Sequence, residues 1–191
     1  SIELSDLIVN PSFEYPAITS GDYMQAVPSS WTLSPNTNPI RSYLFLSGAT
    51  ARGGTYAAAG NQFVVIRYAG TTLSQNVTLV VGQMYQLTFY ASATTSAGFS
   101  GGVYVPFTVK IGGSTVYNES KPSITTTMNY YSVLYTSALV QTNVSFINNY
   151  VGTGSYPTFF VDKVNLVPYY TTPPTISPSK TPTSGTTTNY F

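Results

Sequence analysis

Short runs in which apolar and polar residues alternate with a period of two recur along nearly the whole chain. Each is enriched in Val, Ile, Thr, Tyr or Phe and bounded by Gly, Pro or Asn, the pattern of half-buried β-strands between turns. The spacing predicts strands over Leu4–Val9, Tyr43–Ser47, Phe63–Arg67, Thr72–Val80, Met84–Ala93, Phe107–Ile111, Ser114–Asn118, Tyr130–Thr136, Asn143–Asn148 and Thr158–Pro168. No stretch reads as a helix of three turns. Gly112-Gly113 joins two alternating runs and predicts a tight hairpin, because the turns that fit strand twist need positive φ. So many short strands at this spacing read as an antiparallel β-sandwich.

The alternation also nominates a core. Tyr85, Leu87 and Phe89 share one strand face, and Val144, Phe146 and Asn148 share another. Trp31, the single tryptophan, follows a Pro-Ser-Ser turn and is expected as a core anchor rather than a sugar-stacking platform. At 191 residues the chain has room for one domain over 1–170 and a Thr/Ser/Pro-rich extended tail or linker over 171–191.

Charge excludes several functions. Only 7% of residues are charged, against roughly 25% in an average soluble protein, so solubility rests on neutral polar groups or attached glycans. Arg41, Arg52, Arg67, Lys110, Lys121, Lys163 and Lys180 are scattered, and a nucleic-acid partner is not expected without a concentrated basic stripe. Without Cys or His the chain has no disulfide, no Fe–S cluster and none of the usual zinc ligands. No apolar run approaches the roughly 20 residues of a membrane helix, so no membrane span is expected. Ser1 in place of an initiator Met fits a processed, secreted chain.

Catalysis has little to stand on. Glycoside hydrolysis needs two carboxyl groups facing across a cleft. The acids are Glu3, Asp6, Glu14, Asp22, Glu119 and Asp162, and none sits in a catalytic motif. No nucleophile–histidine constellation exists. The expectation is that the chain is not an enzyme.

Sugar enters in two ways. The 17 tyrosines, with pairs at Tyr130-Tyr131 and Tyr169-Tyr170, offer flat rings for stacking, although alternation gives at most one ring of each pair to a given platform. Equally, Tyr is enriched at protein interfaces. Covalent sugar has definite addresses: Asn76-Val77-Thr78, Asn118-Glu119-Ser120 and Asn143-Val144-Ser145 are N-glycosylation triplets, whereas Asn10-Pro11-Ser12 is excluded by its proline. Asn76 and Asn143 alternate with apparent core residues Val77 and Val144, which turns them outward.

After Pro168 the composition changes. Thr171 to Thr188 is almost wholly Thr, Ser and Pro, with one isoleucine and no aromatic residue, too little apolar surface to offset the entropy of ordering it. Any order there must come from a partner surface, attached sugar, or both. The composition is mucin-like, with Thr171, Thr172, Thr175, Ser177, Ser179, Thr181 and Thr183 as O-glycosylation candidates. In polyproline-II form such a tail reaches about 55 Å, at roughly 3.1 Å per residue, enough to cross a neighbouring subunit. Tyr190 and Phe191 would anchor its far end.

Four ordered segments carry a family resemblance. They are Asn10-Pro11-Ser12-Phe13-Glu14-Tyr15-Pro16 followed by Trp31; Leu73-Ser74-Gln75-Asn76-Val77 running through Gly82-Gln83-Met84-Tyr85-Gln86-Leu87-Thr88-Phe89; Val144-Ser145-Phe146; and Phe159-Phe160-Val161-Asp162-Lys163-Val164-Asn165-Leu166. The chain resembles the galactose-binding-domain-like jelly rolls, a group with many carbohydrate-binding modules and extracellular surface domains. The resemblance implies an all-β, antiparallel jelly-roll sandwich over about residues 5–168, with the extended tail beyond it. It also implies a structural calcium near Glu14 and Asp162, although Lys163 stands where relatives carry a second Asp. The last strand is expected beside the first, sending the tail out from one edge.

Together these readings favour a structural subunit of an extracellular glycoprotein filament or surface appendage, secreted or displayed on a cell or virion surface. Its tail would dock on the next copy in a head-to-tail homo-oligomer. The alternatives are a non-catalytic carbohydrate-binding module of a larger secreted protein and a viral surface decoration protein.

Overall fold

The structure is a computed structural model, and it describes residues 5–37, 41–50, 53–93, 104–122, 124–152 and 157–172. Eleven strands carry the fold: β1 (Tyr23–Gln25), β2 (Thr32–Ser34), β3 (Ser42–Leu46), β4 (Gln62–Arg67), β5 (Thr72–Thr78), β6 (Met84–Ala93), β7 (Phe107–Ile111), β8 (Ser114–Glu119), β9 (Asn129–Thr136), β10 (Gln141–Asn148) and β11 (Thr158–Pro168). Among the described residues there is no α-helix. The strands form a six-stranded sheet, ordered β1-β3-β4-β11-β6-β9, and a five-stranded sheet, ordered β2-β5-β10-β7-β8. Every pairing of named strands is antiparallel.

The alternating runs place their apolar residues between the sheets. Tyr85, Leu87 and Phe89 of β6 meet Val144 and Phe146 of β10 in one core, with Trp31 against Phe13 and Phe146 at ring separations of 5.1 and 6.3 Å. Trp31 is the expected anchor, 6% exposed. Its indole N–H donates to the Asn10 carbonyl, so the polar end of a large apolar side chain is satisfied.

β4 is buried on both faces, and its continuous apolar run explains a second cluster. Tyr43, Phe45, Phe63, Val65, Met128 and Phe160 pack on the far side of the six-stranded sheet, with Ala57 and Tyr90 against them. Residues 55–58 and 124–128 lie near one another there, linked by a bridge between Tyr56 and Thr127.

Three expectations are corrected. No strand forms over the described part of Leu4–Val9, residues 5–9, and its one backbone-to-backbone bond to β11 runs from the Leu7 N–H to the Leu166 carbonyl. Asp6 takes the ladder's place, because its Oδ1 accepts from the N–H groups of Ile8 and Leu166. The last strand is also not at an edge: β11 runs between β4 and β6, so the chain leaves from the sheet interior. Finally β1 and β2, three residues each, are too short to show a period and were not expected.

Two turns behave as their glycines predict. Gly112, at φ 62°, closes the β7–β8 hairpin with Ile111 opposite Ser114. Gly82, at φ 82°, instead carries the chain from one sheet to the other, since β5 pairs with β10 and β2 while β6 pairs with β11 and β9.

Candidate functional site

The segment Val9–Tyr15 packs against the turn before Trp31 and leaves a cleft of about 590 Å³ beside the sandwich. Its walls come from Val9, Asn10, Pro11 and Ser12 on one stretch, Glu14 and Tyr15 beyond them, and Ser29 and Ser30 opposite. Asn10 ties the two stretches together: its Nδ2 donates to the carbonyls of Tyr15 and Ser29, and its Oδ1 accepts from the Tyr15 N–H. Three non-glycine residues here hold left-handed backbone, Asn10 at φ 52°, Phe13 at φ 56° and Ser30 at φ 69°. Such strain is maintained only where surroundings over-determine it, and it gathers at ligand clamps. Tyr15 presents its ring to solvent, 66% exposed.

The exposed lining of the cleft is mostly apolar, with a small polar share. Ser12, Ser29, Ser30 and Tyr15 are among the lining residues, and Glu14 is the one acidic residue with them. Glu14 Oε1 is already engaged, accepting the N–H groups of Asn61 and Gln62 at 2.9 and 3.1 Å. Gln62 braces the same loop from behind, donating to the carbonyls of Phe13 and Pro16. This dimension and lining suit a small ligand that presents a flat apolar face and a few hydrogen-bonding groups.

Glu14 and Asp162, the pair the family resemblance names for calcium, both converge on residues 58–62. Asp162 is fully buried, with Oδ2 accepting from Ala58 and Ala59 N–H at 2.7 and 2.9 Å and Oδ1 from Lys163 N–H at 2.7 Å. Gly60 lets the loop close: it sits at φ 67°, and a Cβ there would meet Glu14 Oε1 at 2.3 Å. Three of the four carboxylate oxygens thus face amide N–H groups. Among the described residues no third acidic side chain joins them. A hard cation wants six or more oxygens and is repelled by converging N–H dipoles, so this donor set does not fit calcium. Burial pushes the Asp162 carboxyl up to about 7; its amide bonds from Ala59, Lys163 and Ala58 pull the other way, and the Glu14 charge adds to the rise.

The three sequon asparagines share the outer face of the five-stranded sheet. Asn76 on β5 lies directly opposite Asn143 on β10, and Asn118 on β8 lies opposite Thr108 on β7, whose hydroxyl donates to Asn118 Oδ1. Asn76 and Asn118 are exposed and Asn143 is half-buried. Thr171 and Thr172 are exposed beyond β11. Thr175, Ser177, Ser179, Thr181, Thr183, Tyr190 and Phe191 lie outside the described residues.

The tyrosine pair at 130–131 divides as alternation requires. Tyr131 stacks on Phe89 in the core at 5.0 Å and 8°, while Tyr130 turns outward beside Tyr90 at 5.3 Å. The cleft itself was not legible from composition. Its signal was Asn10-Pro11 and Tyr15-Pro16 bracketing a buried Phe, a constrained loop whose walls come together only through Asn10.

No protein-family model matches this sequence, and no curated protein matches it. Solved structures do. A cyclase from Fischerella sp. TAU, solved with 4-(1H-indol-3-yl)butan-2-one, aligns over 86% of this chain and 98% of its own at 15% identity and a TM-score of 0.66. The module TmCBM61, in complex with β-1,4-galactotriose, aligns over 86% of this chain and 99% of its own at 15% identity and 0.51. The CBM22-1 xylan-binding domain of Paenibacillus barcinonensis Xyn10C covers 86% of this chain and 95% of its own at 12% identity and 0.52. With two antiparallel sheets in this order, the globular part of the chain has the galactose-binding-like jelly-roll fold.

Proposed function

We propose that this is a non-catalytic carbohydrate-binding module of an extracellular protein, with the cleft at Asn10–Tyr15 and Ser29-Ser30 as its sugar site. The observation that carries this is the cleft's lining: a mostly apolar surface with an exposed tyrosine and three serines among its residues, on a loop held in left-handed backbone. A sugar offers an apolar face to an aromatic ring and hydroxyls to such groups. The galactotriose- and xylan-binding neighbours support the reading at the level of fold. The same fold houses a cyclase, but in this cleft Glu14 is the only carboxylate and two backbone amides hold it. Three sequons on one sheet face, none of whose asparagines lines the cleft, agree with a secreted glycoprotein.

The test is a glycan array followed by calorimetry on the best ligand. Tyr15→Ala is expected to weaken binding about fivefold or more, the worth of one stacked ring, with an unchanged melting curve. Absence of any glycan bound by the intact chain, or equal binding by Tyr15→Ala, would reject the site.

A second reading, a subunit joined head-to-tail by its C-terminal segment, is favoured by the way the chain leaves the fold. Tyr169 is fastened by its N–H to the Met84 carbonyl and by its carbonyl to Gln83 Nε2, and Thr171 and Thr172 are already exposed. Pro173-Pro174 follow at once.

A further inference from the structure

Four strands lie at sheet edges, and three are protected against pairing with another chain. β1 and β2 are only three residues long, and β8 is bulged opposite Val109 and Lys110. β9 is different: eight residues, Asn129-Tyr130-Tyr131-Ser132-Val133-Leu134-Tyr135-Thr136, without a charge, a proline or a register shift. All eight pair with β6 on one side, and among the described residues no strand pairs on the other.

The phase of the ladder shows which backbone groups face that free side. Tyr169 N–H bonds the Met84 carbonyl and Ser137 N–H bonds the Gln83 carbonyl. Even-numbered residues of β6 therefore point their backbone at β11 and odd-numbered ones at β9. In β9 it follows that Tyr131, Val133 and Tyr135 bond inward, and that Tyr130, Ser132, Leu134 and Thr136 direct N–H and C=O outward. Tyr130 and Leu134 are also more than half exposed, at 56% and 51%.

The tail has the complementary pattern. Pro174, Pro178 and Pro182 all fall on even positions, so every odd residue from Thr175 to Thr183 keeps its N–H. A strand tolerates proline only where its missing donor faces solvent, and this spacing removes donors from one edge alone. The same parity sorts the side chains, with hydroxyls on odd positions and Pro174, Ile176, Pro178, Lys180 and Pro182 on even ones.

We infer that residues 175–182 of a second copy add to β9 as an antiparallel strand. Thr175, Ser177, Ser179 and Thr181 then bond Thr136, Leu134, Ser132 and Tyr130. Antiparallel partners share a sheet face, so the tail's hydroxyls stay on the solvent side. Ile176 covers Tyr135, and Lys180 comes to the side of the sandwich edge where Glu119 accepts the hydroxyls of Tyr117 and Tyr131. Charge complementarity and the proline parity both select this register. Addition of the same residues to the chain's own β9 is the competing outcome, and it would leave the full-length chain monomeric. The inference rests on the tail-linked reading and names its acceptor.

The test compares full-length chains by sedimentation velocity and electron microscopy. Ser179→Pro/Thr181→Pro puts proline on the bonding parity and is expected to reduce the assembled fraction roughly tenfold or more, because two ladder donors are lost. Ser184→Pro/Thr186→Pro, two prolines outside residues 175–182 that leave those donors, Ile176 and Lys180 in place, is expected to keep assembly within about threefold of the parent. Leu134→Pro, on the acceptor edge, is expected to match the first variant while melting as a folded domain. Equal assembly by the two tail variants overturns β9 addition but leaves the tail-linked reading standing, provided that deletion of 171–191 abolishes assembly. A full-length chain that remains monomeric, or a deletion that still assembles, overturns both.

Discussion

At the scale of single residues, Asp162 sets the most specific expectation. Its carboxyl, ordinarily near 3.8, is raised to about 7 mainly by burial. Between roughly pH 4 and pH 7 the folded chain keeps a proton that the unfolded chain has released, so the group's contribution to stability falls as pH rises through that window. Denaturant midpoints are expected to be higher at pH 4.5 than at pH 8. Asp162→Asn should flatten that slope, because the titrating group is gone. It should also lower stability at pH 4.5, since an amide N–H would face the Lys163 N–H where a carboxyl oxygen now accepts it. Because the donor set around Glu14 and Asp162 does not fit calcium, midpoints measured with excess calcium and with chelator should coincide. A chelator-dependent loss of stability would contradict that reading.

At the scale of elements, the irregularity in β11 explains what alternation could and could not reveal. Val161 and Val164 are both in the core although their spacing is odd. A bulge between Asp162 and Asn165, with Lys163 at φ 49°, reconciles the two, and Val164 N–H finds the Pro11 carbonyl. Deleting Lys163 should therefore leave both inward faces and the pairing with β6 intact, at a cost of about 2 kcal/mol for two lost hydrogen bonds. Deleting Thr88 from the regular partner strand should abolish folding, because every residue on one side of the deletion changes face. Thermal melts of the two variants check this. Strands with long alternating runs, such as β6 and β9, were legible from sequence because side-chain period reports burial directly. β1 and β2 were not, and neither was the displacement of Leu4–Val9 by Asp6, since a side chain substituting for a ladder leaves no periodic trace. The cleft was hidden for a related reason: Asn10 assembles it by contacts to Tyr15 and Ser29 that sequence does not place side by side.

At the scale of the whole molecule, the question is whether the C-terminal segment belongs to the fold that precedes it. The core is closed without it: Phe159, Val161, Val164 and Leu166 complete the inner face of β11, and Pro168 is the strand's last residue. Tyr169 still bonds Met84 and Gln83, so truncation must begin after it to preserve that attachment. Removing residues 171–191 deletes two exposed threonines and 19 further residues, and no strand pairing or core contact described for the domain depends on them. The truncated chain is expected to unfold within about 0.5 kcal/mol of the full chain under conditions where both are monomeric. Where the full chain assembles, mass action should make its apparent stability rise with protein concentration, and the truncated chain should show no such rise. Denaturant titrations of both chains over a hundredfold range of concentration distinguish the cases. Two parallel curves separated by several kcal/mol, unchanged with concentration, would mean that the tail folds back as part of its own domain and links nothing.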